Sequence, residues 1–361
     1  MPLRQRMKNI LTLAFLLGSF VVRAQQAELL ALLNKENVTG MQLVYTKKGE
    51  TKQYSLGLRQ AGSTQAPMTS TTILQAASLG KVVLAYTALR LHDQGRLDLD
   101  KPLLTYAPYP RLQGEPRAAK ITARMVLGHT TGLPNWADYP LAESWKTSKL
   151  TLKFAPDSCW SYSGEGYVWL QRTLEQITGN TLDQLAQQEV FGPLKMPNSS
   201  FTWQARFEKN AAYGHDKAGK PTDIKRFKEP NGGFSLLTTA ADYSRFVRAL
   251  MTGKGLKPAT AKLLTTAANA ATRCSTPATA TDANINWAWG LGLATTSHGP
   301  AQWHWGDNGD FRGFFMTFPN SQESLLFLTN SANGLKITDE VLRLFLGPGH
   351  YQAMQWLAEE K

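Results

Sequence analysis

The sequence has few of the features that mark repetitive, membrane-spanning or metal-dependent proteins. It contains no repeat and no long low-complexity segment, and its 42% hydrophobic content is ordinary for a globular protein. Its longest apolar run, residues 10–22, is too short for a transmembrane helix. Its six histidines show no His-x-x-x-His or His-Cys ligand spacing, so we expect no metal site and no cofactor.

Cysteine is scarce, with only Cys159 and Cys274 present. In an oxidising compartment the two could pair and close a loop of over a hundred residues, which would contribute about 4–5 kcal/mol in the chain-entropy model. Two buried free thiols fit the sequence equally well, because spacing alone does not bring two Cα atoms together. The sequence therefore leaves the pairing open.

The N-terminal segment has the layout of a secretory signal peptide. Arg4, Arg6 and Lys8 precede the apolar run, and small residues stand near a cleavage position at residues 22–24. No cysteine follows the run to carry a lipid anchor. We therefore expect removal of residues 1–24 and a soluble mature protein, residues 25–361, that is periplasmic or secreted and makes no stable membrane insertion.

Acidic residues are in the minority, with 27 Asp and Glu against 39 Lys and Arg. Loss of residues 1–24, which carry four basic side chains and no acidic ones, would lower the formal charge from +12 to about +8. The remaining basic residues are scattered, and the densest patch is Lys217–Lys228. This distribution suits a solvated surface and does not indicate a nucleic-acid partner.

Strand patterns occur at both ends of the chain, and helical patterns dominate the middle. Residues 41–60 predict a hairpin, and four further strand-like runs occupy residues 287–296, 301–308, 312–319 and 324–330. Helical spacing is found in Ala27–Glu36, Ile121–Leu127, Gly166–Thr178, Leu182–Phe191, the segment after Thr238, and Ile337–Leu346. We predict the α/β (α+β) class, with one antiparallel sheet built from N- and C-terminal segments and flanked by helices.

This pattern also predicts two lobes within one domain, residues 25–361. The sheet lobe would comprise about residues 25–80 and 236–361, and an inserted, mostly helical lobe about residues 81–235. A cleft at such a junction is a favoured place for an active site.

Ser78 and Lys81 lie three residues apart in "AASLGK", at the predicted start of a helix. Positions three apart share a helix face, so the hydroxyl and the amine can meet. The first turn offers free backbone N–H groups, and the apolar run that follows would bury the lysine stem and lower its pKa. Alone, Ser-x-x-Lys is a weak signal that recurs by chance on many helices.

Two later stretches strengthen the functional interpretation. "WSYSGEGYVWL" places Tyr162 in a turn before a helix, and "WHWGDNGDFRGFF" places His304-Trp305-Gly306 on a strand that enters a Gly-rich turn. With "LGHTTGLPNW" and "NGGFSLLTTAADYSRF", these stretches resemble the serine β-lactamase and penicillin-binding superfamily. The similarity is greatest to its branch of class C β-lactamases, D-alanyl-D-alanine carboxypeptidases and esterases. It covers nearly the whole mature chain, and it implies a β-lactamase/transpeptidase-like fold.

The resemblance implies a role for each matching residue. Ser78 would be the nucleophile, Lys81 and Tyr162 would share its proton, and His304 would lie opposite them as an imidazolium. The backbone N–H groups of Ser78 and Asp307 would form the oxyanion hole, each typically worth about 2.7–4 kcal/mol in the transition state. Whether Lys81 or Tyr162 is the base stays open.

Four further residues are expected beside the substrate: Gly164, Trp305, Gly306 and Asn231. For Asn231 a role in the turn before Gly232-Gly233 is an alternative. Gly164 departs from the family, whose second motif is Tyr-x-Asn, and glycine can neither hold the lysine nor bind a substrate amide. We expect Glu165 to replace the link to Lys81 if the turn directs it inward.

The resemblance implies a serine hydrolase that acts on an ester or a D-amino-acid peptide or amide, such as a small molecule or a peptidoglycan-derived substrate. One alternative is a class C-type β-lactamase, which Gly164 and His304 make less favoured. The other is a penicillin-binding or sensor protein that is acylated without turnover. The family also implies a monomer, and we interpret His129 as a structural residue that bridges a loop to the helical lobe.

Overall fold

The computed structural model describes residues 24–274 and 277–359. Its strands are β1 Gly40–Lys47, β2 Glu50–Gln60, β3 Ala66–Pro67, β4 Leu74–Gln75, β5 Leu237–Thr238, β6 Ile285–Trp287, β7 Gly292–Thr296, β8 Gly299–Asp307, β9 Arg312–Phe318 and β10 Glu323–Thr329. Eight of them form one sheet in the order β3-β2-β1-β10-β9-β8-β7-β6, and β4 pairs with β5 separately. The predicted sheet of N- and C-terminal segments is confirmed.

Two neighbouring interior strands of this sheet, β1 and β10, join the two ends of the chain. β1 runs antiparallel to β10, with Met41 opposite Thr329. The predicted hairpin is confirmed as β1 and β2. The single strand predicted at residues 287–296 is wrong, because the chain turns at Gly290, whose φ is +94°, and forms the antiparallel pair β6 and β7.

The helices are residues 24–35 (α1), α2 Leu79–Asp93, α3 Ala123–Leu127, α4 Gly164–Thr178, α5 Leu182–Ala186, α6 Ala240–Thr252, α7 Pro258–Leu263, α8 Thr338–Leu346 and α9 Ala353–Ala358. Short 3₁₀ segments occupy Leu103–Thr105, Pro110–Leu112, Pro116–Lys120, Glu143–Thr147, Ala205–Phe207, Asp282–Asn284 and Gly334–Ile337, and a π-turn at Gln187–Phe191 extends α5. Thr239 caps α6, since its side chain accepts a hydrogen bond from the N–H of Asp242 in the first turn.

Both faces of the sheet are buried, which explains its nearly continuous apolar strands. Along β10, Leu326 and Leu328 face the core that contains α2 and α6, whereas Leu325 and Phe327 face the core that contains α1 and α8. Because side chains alternate between the two faces of a strand, one face of β10 packs on the core that contains α2. α2 therefore lies directly against the sheet. The nucleophile motif at the start of α2 is thereby held next to β8.

Cys159 and Cys274 form a disulfide, with their Cα atoms 5.5 Å apart, which answers the question that the sequence left open. The apolar run of the expected signal peptide lies outside the described residues. No described helix is long and apolar enough to span a bilayer. In residues 24–274 and 277–359, no group of three or more His, Cys, Asp or Glu side chains could hold a metal ion.

Candidate active site

Ser78 is the N-cap residue of α2, immediately before the first helical turn. Ala77, the residue before it, has a φ of +51°, a left-handed conformation that is uncommon for a residue with a side chain. Lys81 Nζ lies 3.0 Å from Ser78 Oγ, as the three-residue spacing predicts. Both groups also donate to the carbonyl oxygen of Gly233, from Lys81 at 2.9 Å and from Ser78 at 3.3 Å.

The Lys81 side chain is buried, with only 1% of its surface exposed. Burial disfavours the charged ammonium and lowers the pKa of Lys81 to about 7. Three aromatic rings surround the amine, with centroids 4.8 Å (Tyr162), 5.8 Å (Trp136) and 5.9 Å (Tyr167) from Nζ. Near neutral pH the group can therefore take a proton from the serine hydroxyl and later return it.

Tyr162 lies in the turn that precedes α4, as expected. Ser163 caps α4 by accepting a hydrogen bond from the N–H of Gly166. The Tyr162 ring contacts the Trp305 ring on β8 at a centroid distance of 4.8 Å. The structure thus brings the first and second motifs together around the Lys81 amine and places the third beside the tyrosine.

His304 lies in the site but is not the imidazolium that we expected. Its ring is fully buried, and burial together with the Lys81 charge lowers the pKa of His304 to about 3. Its Nδ1 lies 2.7 Å from the carbonyl oxygen of Trp305, which fixes this nitrogen as the donor of a neutral ring. His304 therefore cannot stabilise a phenolate by positive charge near neutral pH.

His129 has the structural role that we inferred. Its backbone oxygen accepts from the N–H of Ser161, and its Nδ1 accepts from the N–H of Ser163. The ring lies 4.4 Å from the Tyr162 ring. Burial, then the charge of Lys81, lowers the pKa of His129 well below the usual range, so it supports Tyr162 as a neutral ring.

The third motif brings β8 close to the nucleophile turn. A Cβ at Gly306 would lie 2.4 Å from the carbonyl oxygen of Ala76, so only glycine permits this approach. Trp305 and Asp307 line the same cleft as Ser78. The Asp307 carboxylate faces Arg312 and accepts from the N–H of Gly309 at 2.9 Å, so the aspartate side chain is engaged within its own turn.

Gly164, which we expected beside the substrate, has the Trp136 ring packed against it. A Cβ at this position would lie 2.4 Å from the Trp136 ring, and one at Gly233 would lie 2.8 Å from the same ring. The Trp136 indole therefore occupies the space next to both glycines. Sequence reasoning did not single out Trp136; its signal was the missing side chain at position 164, which leaves room that another residue must fill.

Glu165 does not replace the link to Lys81. Its buried carboxylate pairs with Arg111 at 2.6 Å and accepts from the Trp145 indole at 2.7 Å and the Ala137 N–H at 2.9 Å. In the first turn of α4 it faces the loop of residues 135–137. It fixes that loop in place, and the Lys81 amine has Ser78 and Gly233 as its hydrogen-bond partners.

Asn231 has the turn role that we considered as the alternative. Its Oδ1 accepts from the N–H of Gly233 at 2.8 Å, and its backbone carbonyl accepts from the N–H of Ser235 at 3.0 Å. This arrangement presents the Gly233 carbonyl to Lys81. Asn231 therefore acts on the site through Gly233.

Ser78 opens into a cleft of about 860 Å³. One part of its lining, here called the apolar wall, consists of Trp136, Tyr139, Leu141 and Phe234. Another part, here called the strand wall, consists of Trp305, Asp307, Arg312 and Lys336. Ser78 and Tyr162 thus line a cleft that carries both apolar and charged side chains, with the buried Lys81 amine 3.0 Å from Ser78 Oγ. This arrangement is suited to acyl transfer.

Comparison with known proteins identifies the family. The family profile described as Beta-lactamase matches residues 21–344. The chain is 24% identical over 339 residues to "Penicillin-binding protein 4" of Amycolatopsis lactamdurans, covering 88% of this chain and 87% of the relative. It is 28% identical over 230 residues to "Lovastatin esterase" of Penicillium rubens, covering 52% and 57%. A solved structure titled "A class C beta-lactamase" superposes with a TM-score of 0.73 at 19% identity, covering 89% of this chain and 95% of that one.

The chain therefore belongs to the beta-lactamase family of serine hydrolases. Relatives in this family bear the names of penicillin-binding proteins, esterases and carboxypeptidases. The likeness to the solved structure confirms the β-lactamase-like fold that the motifs predicted.

Proposed function

We propose that this chain is an exported serine hydrolase that forms an acyl-enzyme on Ser78 and hydrolyses an ester or a D-amino-acid peptide or amide. One observation carries the proposal: the Lys81 amine lies 3.0 Å from Ser78 Oγ and has a pKa lowered to about 7 by burial. A lysine in this state is a competent base at neutral pH.

In the proposed acylation step, Ser78 Oγ attacks the carbonyl carbon and forms a C–O bond. The serine proton passes to the Lys81 amine, with the Tyr162 phenol nearby to relay it. Collapse of the tetrahedral intermediate breaks the bond to the leaving group, which takes up that proton. In deacylation, water attacks the acyl carbon and gives up a proton to the same groups. The bond between Ser78 Oγ and the acyl carbon then breaks, the acid is released, and Ser78 Oγ takes up the proton that came from water.

The developing oxyanion would be stabilised by the backbone N–H groups of Ser78 and Asp307. Two features support this assignment. Ser78 stands at the N-terminal end of α2, where the helix dipole favours negative charge. Gly306 allows β8 to approach that end, which brings the residue after it towards the nucleophile.

Ester hydrolysis is favoured over β-lactam hydrolysis by two observations. Position 164 has no side chain that can donate to the amide of a penicillin or cephalosporin, and Trp136 fills the adjacent space. The buried, neutral His304 adds no positive charge for a β-lactam carboxylate. Because one relative is named "Penicillin-binding protein 4", acylation of Ser78 by penicillin should also be measured.

Export is supported by the basic and apolar layout of residues 1–24 and by the Cys159–Cys274 bond, since disulfides persist in oxidising compartments. We also propose that the mature chain is a monomer. Mass spectrometry of the secreted product should give an N-terminus near Gln25, and light scattering should give the mass of one chain.

A substrate panel tests the activity. Purified protein would be assayed with p-nitrophenyl esters, D-alanyl-D-alanine peptides and nitrocefin beside Ser78→Ala. We expect turnover of esters or D-peptides that disappears in the variant, and little turnover of nitrocefin. Full activity in Ser78→Ala would overturn the site. A lasting adduct on the Ser78 peptide without turnover would identify a penicillin-binding or sensor protein instead.

A further inference from the structure

We propose that Trp136 is the specificity-determining residue of the cleft, and that its ring selects substrates in which an apolar acyl group is attached to the scissile carbonyl. The inference rests on the proposed acyl-enzyme at Ser78 and names the substrate class of that site. It concerns an ester of an aliphatic or aromatic acid that carries no amide next to the reacting carbonyl.

The position of the Trp136 ring depends on two glycines. A Cβ at Gly164 would lie 2.4 Å from Cζ2 of the indole, and a Cβ at Gly233 would lie 2.8 Å from Cη2. Real Cβ atoms do not approach that closely, so the ring occupies space that any other residue at either position would fill. An amide-binding side chain at position 164 and this ring position exclude each other.

The backbone on both sides of Trp136 is fixed to the start of α4. Asn135 accepts hydrogen bonds from the N–H groups of Gly164 and Glu165, each at 3.0 Å. The N–H of Ala137 donates to the buried Glu165 carboxylate at 2.9 Å. The indole also packs edge-on against the rings of Phe234 and Trp145, at 5.7 and 6.0 Å. The ring is therefore already in place before a substrate arrives, which reduces the entropic cost of binding.

Two exposed apolar side chains line the cleft within a few residues of Trp136. Within the described residues, the large hydrophobic side chains that are exposed are Tyr139 (64%) and Leu141 (47%), and both line the cleft beside Trp136. Exposed apolar side chains gathered at a cleft indicate a place where an apolar group is buried on binding. No other large hydrophobic side chain of the described chain is exposed to this extent.

The position of the proton carriers assigns this wall to the acyl part of the substrate. The leaving group must contact the group that returns the serine proton, and Tyr162 lies against Trp305 of the strand wall. The Trp136 ring packs instead against the rings of Phe234 and Trp145. The leaving group is thus directed to the strand wall, with Arg312 and Lys336, and the acyl group to the apolar wall.

Two pairs of substrates test the inference. p-Nitrophenyl octanoate and p-nitrophenyl acetate share a leaving group and differ in the acyl chain. Ethyl hexanoate and hexyl acetate have the same composition. Ethyl hexanoate carries its long chain on the acyl side, and hexyl acetate carries it on the alcohol side. We expect the wild type to prefer the octanoate by kcat/KM, and ethyl hexanoate over hexyl acetate in a pH-stat assay.

Three variants and a control distinguish an effect of the Trp136 ring on selectivity from a general effect on folding. Trp136→Ala should lower the octanoate-to-acetate ratio about tenfold or more, a typical effect of losing an apolar pocket contact. Gly164→Ala should lower it with Trp136 still present, because the new Cβ displaces the ring. In the Trp136→Ala background, Gly164→Ala should have no further effect on the ratio. Trp203→Ala, a tryptophan outside the cleft, is the control and should leave the ratio unchanged.

The outcomes distinguish the two proposals. An unchanged ratio in both Trp136→Ala and Gly164→Ala would overturn the selectivity role while leaving the hydrolase intact. Preference for hexyl acetate would likewise overturn the assignment of the wall to the acyl group. Absence of ester turnover together with failure of a fluorophosphonate to label Ser78 would overturn both proposals. If Trp136→Ala is misfolded by circular dichroism, Gly164→Ala and Trp136→Phe carry the test.

Discussion

Lys81 Nζ lies 4.8 Å from the centre of the Tyr162 ring, with the amine over the aromatic face. A protonated amine in this position is attracted to the ring and favours a nearby phenolate, whereas a neutral amine does neither. The charge state of Lys81 therefore affects both candidate bases. The pH dependence of the reaction should report on this one group.

Ester hydrolysis should gain rate as the pH rises through about 7. Burial lowers the pKa of Lys81 to about 7, so the amine is protonated below that pH and free to accept the serine proton above it. A plot of kcat/KM against pH for a p-nitrophenyl ester, corrected for spontaneous hydrolysis, should show an acidic limb there. His304, with a pKa near 3, should contribute no inflection between pH 5 and 8.

The His304→Asn variant is the control for this profile. It removes the imidazole but leaves the Lys81 environment largely buried, so the acidic limb should remain even if the rate falls. Loss of the limb in His304→Asn would show that the histidine, and not the lysine, is the titrating group.

Lys81→Met should abolish activity and stabilise the fold. In the unfolded chain the lysine keeps its ordinary pKa and is charged at pH 7, whereas in the folded chain burial lowers the pKa to about 7. Unfolding thus takes up a proton between pH 7 and 10, and the stability of the wild type falls as the pH drops through that window. Burying the lysine therefore lowers the free energy of unfolding by ~4 kcal/mol at pH 7, at ~1.4 kcal/mol for each pKa unit. Methionine carries no charge and removes this cost.

Urea unfolding of Lys81→Met at pH 7 and pH 10 measures this effect. The variant should exceed the wild type at pH 7, and the difference should shrink at pH 10. Ser78→Ala is the matched control, inactive but with wild-type pH dependence. A lower stability of Lys81→Met than of Ser78→Ala at pH 7 would contradict a buried, weakly basic lysine.

The features that depend on local sequence were predictable, and those that depend on packing were not. The Ser78–Lys81 contact follows from helix geometry, and the sheet follows from strand patterns at both ends. The neutrality of His304 arises from burial by segments distant in sequence, which no spacing reveals. The direction of Glu165 was missed for the same reason, since Arg111 lies 54 positions away.

Glu165→Gln should destabilise the fold by about 3–5 kcal/mol, because it leaves the Arg111 guanidinium largely buried without a counter-charge. The same change loosens the loop that carries Trp136. We therefore expect a loss of acyl-chain selectivity in the remaining folded fraction. Since the carboxylate does not contact Lys81, the acidic limb near pH 7 should stay where it is.

Two further variants sharpen this test by urea unfolding. Glu208→Gln breaks an exposed pair with Arg226 and should change stability little. Arg111→Met combined with Glu165→Met replaces the buried pair with apolar side chains and should recover much of the loss. A shift of the limb in Glu165→Gln would mean that the carboxylate does influence Lys81.

Reduction of the Cys159–Cys274 disulfide should lower stability without an equal loss of activity. The bond closes a loop of 115 residues, and removing it returns entropy to the unfolded chain worth about 4–5 kcal/mol in the chain-entropy model. The folded segment next to it has other support, since the Trp160 N–H donates to the Thr272 carbonyl at 2.7 Å and the indole is buried. Tyr162, two residues further on, should therefore keep its position.

Urea unfolding and ester hydrolysis at 25 °C, measured on oxidised protein and on the Cys159→Ala/Cys274→Ala variant, check both parts. Equal unfolding free energies would contradict the entropic effect, and a variant that stays folded but loses all activity would show that the bond itself positions the tyrosine.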